Sequence, residues 1–300
     1  MTWRGCEEAC TGFQDYIREK NLDAEILIHD AGQDKSALPG ILAQARDINA
    51  DLLVSWGTTV TQGIAGTLAD KDTSPFDHGI PVVFMIVADP VGAGIVESLE
   101  RTGRANVTGT FNRVPEDVNI ATIRSYLLGF SRLGLVYNSD EKNSVLKRDE
   151  MAALARQAGF ELVARELPLH DGIPHVEDIG PTMDGLKQAG VDFIYLGSSS
   201  FLRDNGRAFT EAAVASGIPV LSPYEDLVHN ASALLSVSSR YYDVGRLAGE
   251  QAEKILSGTS PADLPVAQMS NFAIVINMQT AKKLNRFPPI DLLQIAETVD

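Results

Sequence analysis

The run Asp51–Gly66, DLLVSWGTTVTQGIAG, leaves few folds open to this chain. A short apolar stretch, Leu52–Ser55, reads as a buried strand. Trp56, Gly57, Thr58 and Thr59 follow, and then a helical pattern. Strand, Gly-Thr-Thr, helix is a βα unit of a parallel sheet, and its turn offers backbone N–H groups at a helix start to an anionic group. The threonine hydroxyls add donors and Trp56 a flat apolar wall, a set suited to a small carboxylate or phosphate. Taken alone, the same residues also make a plain N-cap after a buried strand, so the weight falls on the rest of the chain.

That pattern repeats. Strands are expected at Ala24–His29, Asp51–Ser55, Ile80–Val87, Asn106–Thr110, Arg132–Tyr137, Glu161–Glu166, Phe193–Leu196, Pro219–Ser222, Ala233–Val237 and Phe272–Ile276. Helices are expected between and around them, at Glu7–Lys20, Lys35–Ile48, Thr58–Ala69, Val91–Leu99, Pro115–Leu128, Asn143–Ala158, Val176–Ala189, Leu202–Ser216, Asp243–Leu256 and Thr280–Leu284. IPVVFMIV at Ile80–Val87 is apolar at every position, as a strand covered on both faces must be. Strands alternating with helices mean parallel sheets with right-handed crossovers. The expected class is α/β, with two doubly wound parallel-sheet lobes joined by crossing strands. Residues 1–110 with 238–262 would form the first lobe and 111–237 with 263–300 the second. Ligands of such sheets sit beyond the carboxyl ends of the strands, so two lobes facing each other make a cleft that closes on a small molecule.

The totals narrow the chemistry. The chain has 300 residues, enough for two cores at 44% hydrophobic content, and a formal net charge of −15. That surface argues against nucleic acid and against anionic lipid. No apolar run reaches the length of a membrane span, and no signal peptide is visible. The two cysteines, Cys6 and Cys10, are four apart, so a disulfide and two reduced thiols on one helix face are both open, with reduced thiols the expectation. Nucleophile elbow, Walker loop and H-E-x-x-H are all absent, Gly92-Ala93-Gly94 has no dinucleotide-binding continuation, and Glu97 and Glu100 read as a solvated helix face. The five histidines, His29, His78, His170, His175 and His229, are scattered, so no metal, cofactor or catalytic residue is expected.

The loops after the strands carry the candidate site. They hold Trp56, Gly57, Thr58 and Thr59; Asp89 with Pro90; Asn138 and Asn143; Ser198, Ser199 and Ser200; Tyr224 and Glu225; and Arg240 with Tyr241. Any one loop reads equally as a helix cap, but six of this kind read as one binding cleft. Trp3 and Arg4, near the start, join the set.

Several runs resemble one family. They are IPVVFMIVADPVGAGIVESL, ANVTG at Ala105–Gly109, LGLVYNSDEKNS at Leu133–Ser144, YYDVGRLAGEQAEKILSGTSPADLPV at Tyr241–Val266 and INMQTAKKL at Ile276–Leu284. The family is the ABC-transporter substrate-binding proteins of the tryptophan/tyrosine-type group, with the type I periplasmic-binding-protein fold. The resemblance implies a periplasmic or otherwise extracytoplasmic receptor that captures a small molecule and delivers it to an ABC permease. Its members begin with a strand leading into the loop that Thr2, Trp3 and Arg4 occupy here. The resemblance therefore implies that this strand and a signal peptide were trimmed or that the start is misassigned, which would expose a sheet position. Amino-acid-binding relatives carry acidic groups in the second lobe, and the resemblance places Ser199 and Arg240 at the equivalent positions here. An arginine favours a carboxylate, so a carboxylate without a free amine is expected: an aromatic or aryl-alkanoic acid stacked on Trp3, Trp56, Tyr224 or Tyr241 first, with a small dicarboxylate as the alternative. The first lobe would offer Thr58, Thr59 and Asp89, and the second Asn138, Ser198, Ser199 and Arg240. Receptor for an aromatic amino acid is the alternative ligand reading. A sensory ligand-binding domain is the alternative role, and an enzyme using Asp89 as base is a third reading.

Overall fold

The computed structural model describes residues 1–76 and 79–300. The chain forms two compact units, Met1–Arg113 with Ser239–Asn271 and Val114–Ser238 with Phe272–Asp300. The first unit begins with α1 (Glu8–Glu19), α2 (Leu38–Asp47), β1 (Leu53–Trp56), α3 (Gly57–Ala65), β2 (Val82–Met85) and β3 (Val107–Phe111). In the second unit follow α4 (Glu116–Tyr126), β4 (Arg132–Tyr137), α5 (Lys142–Ala158), β5 (Glu161–Glu166), β6 (Leu169–His170), β7 (Ile173–Pro174), α6 (Ile179–Gln188) and β8 (Phe193–Tyr195). It continues with α7 (Ser200–Asp204), α8 (Gly206–Ala215), β9 (Val220–Ser222), α9 (Asp226–His229) and β10 (Leu235–Ser238). The chain returns to the first unit with α10 (Tyr241–Leu256) and β11 (Ala267–Gln268). It ends in the second with β12 (Ala273–Asn277), α11 (Met278–Leu284), α12 (Ile290–Leu293) and β13 (Glu297–Val299).

The first unit's sheet runs β1-β2-β3-β11, parallel throughout. The second unit's runs β13-β12-β10-β9-β8-β4-β5, parallel except where β10 meets β12. Side chains along its strands divide strictly by alternation. Leu133, Leu135, Phe193 and Tyr195 enter one core, while Val136, Ile194 and Leu196 enter the other. Both faces are therefore covered, which explains the unbroken apolar runs. In the first unit, α1 and α10 touch backbone to backbone. A Cβ on Gly12 would collide with the Tyr242 carbonyl, and one on Gly245 with the Ala9 carbonyl.

Four expectations change. Ala24–His29 forms no strand and joins no ladder; a single parallel bridge, Thr2 to Asp30, lies just past its end. Val91–Leu99 is a series of turns instead of a helix, broken where Gly94 takes φ +68°. Residues 263–271 stay with the first unit because β11 pairs with β3. Cys6 and Cys10 are disulfide-bonded, not reduced: Cys6 lies before α1, and the Cα atoms stand 5.2 Å apart.

Candidate functional site

Each unit presents its own set of turns at the carboxyl edge of its sheet. In the first, β1 ends at Trp56 and α3 starts at once. Gly57 allows this by taking φ +82°, a conformation open to glycine. Thr61 turns its hydroxyl back to the Gly57 carbonyl at 2.8 Å and meets Ser55 Oγ at 2.8 Å, so the turn is braced from inside the fold. The N–H groups of the first helical turn, at Thr58 and Thr59, are the ones a helix leaves without internal partners. At the other end of α3, the buried Arg104 guanidinium donates to the Ala65 carbonyl at 2.5 Å and neutralises the negative end of the helix dipole. Arg4 places its guanidinium 5.8 Å from the Trp56 ring centre and pairs with Glu7 at 2.6 Å. Trp3, half-buried, packs instead beside the cluster of Ala31, Leu38, Ile41 and Val60.

Asp89 is exposed, and its carboxylate accepts the Gly92 N–H at 2.8 Å, closing a turn. Just before it, Ile86 takes φ +57°, costly for a β-branched residue. Arg240 occupies the position just before α10 and Tyr241 is the first residue of that helix, both exposed. Arg240, read as a second-lobe contact, belongs to the first unit, because the chain leaves β10 at Ser238 and α10 packs on α1.

In the second unit the turns after β4, β8, β9 and β10 share one edge, brought together by the strand order β10-β9-β8-β4. Glu141 ties two of them. Its carboxylate accepts the N–H groups of Ser200 at 2.7 Å and Phe201 at 3.0 Å, the Ser199 hydroxyl at 3.4 Å and the Asn138 amide at 3.0 Å. Burial pushes the Glu141 carboxyl upward, but these donors outweigh it and hold its pKa below the ordinary glutamate value. Tyr224 lies under the Arg203 guanidinium, 4.6 Å from ring centre to Cζ, and burial raises its phenol pKa. Glu225 accepts from the Ser238 hydroxyl at 2.7 Å and meets His229 Nε2 at 3.3 Å. Ser198 is half-buried, Ser199 caps α7 through the Leu202 N–H at 3.1 Å, and Asn143 is exposed in the first turn of α5.

Among the described residues, four buried polar atoms without partners lie at these edges, Trp56 Nε1, Asn112 Oδ1 and Ser239 Oγ in the first unit and Asn138 Oδ1 in the second; two more, Asn119 Oδ1 in α4 and Ser236 Oγ in β10, lie away from them. Glu141, Arg203 and Asn112 were missed in the sequence. Glu141 carried a signal, three residues past Asn138 and directly before a helix; Arg203 and Asn112 carried none. Of the histidines, His170 and His175 come together on the β6–β7 hairpin, ring centres 4.6 Å apart, and His78 lies outside the described residues. Among the described residues, no group of three or more His, Cys, Asp or Glu is placed to hold a metal ion, and no helix is long and apolar enough to cross a membrane.

Comparison with known proteins adds a family. A family model described as ABC transporter substrate binding protein matches residues 4–299. A tyrosine-binding protein of Clostridioides difficile (strain R20291) is 26% identical over 283 residues, covering 93% of this chain and 77% of that protein. The ligand-free, open structure of a substrate binding protein with adhesive properties from Clostridium difficile superposes with a TM-score of 0.84 at 23% identity, over 100% of this chain and 97% of that one. An ABC domain in complex with L-Trp from Streptococcus pneumonia gives a TM-score of 0.62 at 25% identity, over 100% of this chain and 98% of the other.

Proposed function

The chain belongs to the ABC transporter substrate binding protein family, and from that membership we propose that it captures an aromatic amino acid outside the cytoplasm and delivers it to a membrane permease. It is a binding protein and not an enzyme, as its family is. The observation that carries the ligand is the pair of relatives similar over nearly the whole chain, one named for tyrosine and one solved with L-Trp. Each unit by itself offers groups suited to such a ligand. Trp56, Tyr224 and Tyr241 offer aromatic faces. The Gly57–Thr59 helix start favours a carboxylate, and the second unit brings Glu141 and Glu225 to its turn edge. The expectation of a ligand without an amine rested on Ser199 and Arg240. With Arg240 in the first unit and two acidic groups among the second unit's turns, that objection to an ammonium loses its force. The Cys6–Cys10 disulfide supports an oxidising compartment.

Isothermal titration against L-tyrosine, L-tryptophan, L-phenylalanine, their amine-free propanoates and succinate tests the reading. An aromatic amino acid should bind tightest, and at a hundredfold excess over its Kd it should stabilise the fold by about 2.7 kcal/mol. Binding of succinate or the propanoates alone would refute it.

A further inference from the structure

Asn138 follows β4 at the edge where the second unit's turns gather, and it is fully buried. Its amide nitrogen donates to Asp140 Oδ1 at 2.8 Å and to Glu141 Oε1 at 3.0 Å. Two carboxylates on that atom settle the amide's orientation, since only the NH2 end can face them. The oxygen is the remaining end, and it is buried without a donor. A buried acceptor in that condition is open to a donor that is not part of the chain, water or ligand.

Glu141 does not compete for that donor. Its oxygens already accept from Ser200, Phe201, Ser199 and Asn138, and they spend this capacity on joining the turn after β8 to the turn after β4. What it still supplies is charge. With Asp140, it puts two carboxylates directly behind the Asn138 amide. An acceptor backed by negative charge favours a cationic donor over a neutral hydroxyl. On the reading of this protein as an amino-acid receptor, we infer that Asn138 Oδ1 accepts a hydrogen bond from the ligand's α-ammonium. Asn138 is then the residue that separates an amino acid from the same acid lacking its amine. Glu141 acts through Asn138 as a positioning residue.

Titration of the full chain with L-tyrosine and with 3-(4-hydroxyphenyl)propanoate tests this, or with L-tryptophan and indole-3-propanoate where tryptophan binds tighter. A hydrogen bond to a charged group makes the amino acid roughly tenfold or more the tighter ligand of the wild type. Asn138→Ala should shrink that ratio to about threefold or less while the propanoate keeps its Kd. Glu141→Gln, which loosens the amide without removing it, should narrow the ratio in part, and it serves if the alanine variant does not fold. A purely structural role would weaken both ligands together. Equal losses, or an unchanged ratio in the variants, overturn the assignment and leave the receptor reading standing. A loss seen with L-tyrosine but not with L-phenylalanine would give the oxygen to the phenol and overturn it as well. A wild type that binds no aromatic amino acid removes both readings at once.

Discussion

Glu141 shows how one side chain is defined by its donors. Buried and alone, a carboxylate protonates more readily; Glu141 does the reverse because the N–H groups of Phe201 and Ser200 and the Asn138 amide outweigh its burial. In the unfolded chain those donors are gone and the group titrates at its ordinary value. Its stabilising contribution is therefore complete at neutral pH and disappears as the pH falls from the ordinary glutamate range through its lower folded pKa. Glu141→Gln should lower the melting temperature at pH 7, and the gap to wild type should narrow at pH 3 in calorimetric scans of both proteins. A gap that stays constant across that range would show that the charge of Glu141 contributes nothing. Its position before a helix was visible in the sequence, but its role was not, for a related reason. NSDEKNS offers several hydrogen-bonding side chains, and which of them reaches the next strand's turn depends on β8 lying beside β4. Trp56–Thr59 was legible because its strand, glycine and helix are contiguous, so that no long-range pairing had to be known.

Among the elements, α1 and α10 make the closest approach. Gly12 meets the Tyr242 carbonyl, Gly245 the Ala9 carbonyl and Gly249 the Tyr16 ring, so each helix supplies small residues where the other's backbone or ring passes. Across the same contact, Tyr16 donates to Glu253 at 2.6 Å and Arg246 pairs with Glu19 at 2.7 Å. A methyl group at residue 245 has only backbone to push against. Gly245→Ala should therefore cost about 1–3 kcal/mol in urea unfolding. Gly40→Ala on α2, with nothing within 4 Å of the new methyl, should instead gain about 0.5–1 kcal/mol. Equal effects at the two sites would mean that the close crossing is not what constrains these helices. The α/β alternation itself was readable because buried parallel strands are apolar at every position. Ala24–His29 misled because apolar composition specifies extended backbone, while a strand also needs a neighbour along its length. Ala267–Gln268 and Glu297–Val299 escaped notice because two or three residues carry no period at all.

At the scale of the whole molecule, the chain passes between the units after Arg113, Ser238 and Asn271. The first unit thus needs a late segment, 239–271, to supply α10 and β11, and no cut of the sequence into consecutive halves yields two complete cores. Paired βα patterns in the sequence implied two units; where α10 and β11 belong depended on packing against α1 and pairing with β3, which the sequence does not display. Electrostatics also acts at this scale. A formal charge of −15 repels anions at long range, and salt screens that repulsion. A zwitterionic amino acid carries no net charge and should feel little of it, whereas an amine-free propanoate approaches as an anion. Titrations between 20 and 500 mM NaCl should accordingly leave the affinity for L-tyrosine or L-tryptophan within about twofold, while the propanoate binds more tightly as salt rises. The opposite dependence, with the amino acid sensitive and the propanoate indifferent, would mean that local charges at the turns, not the field of the whole protein, govern access to the site.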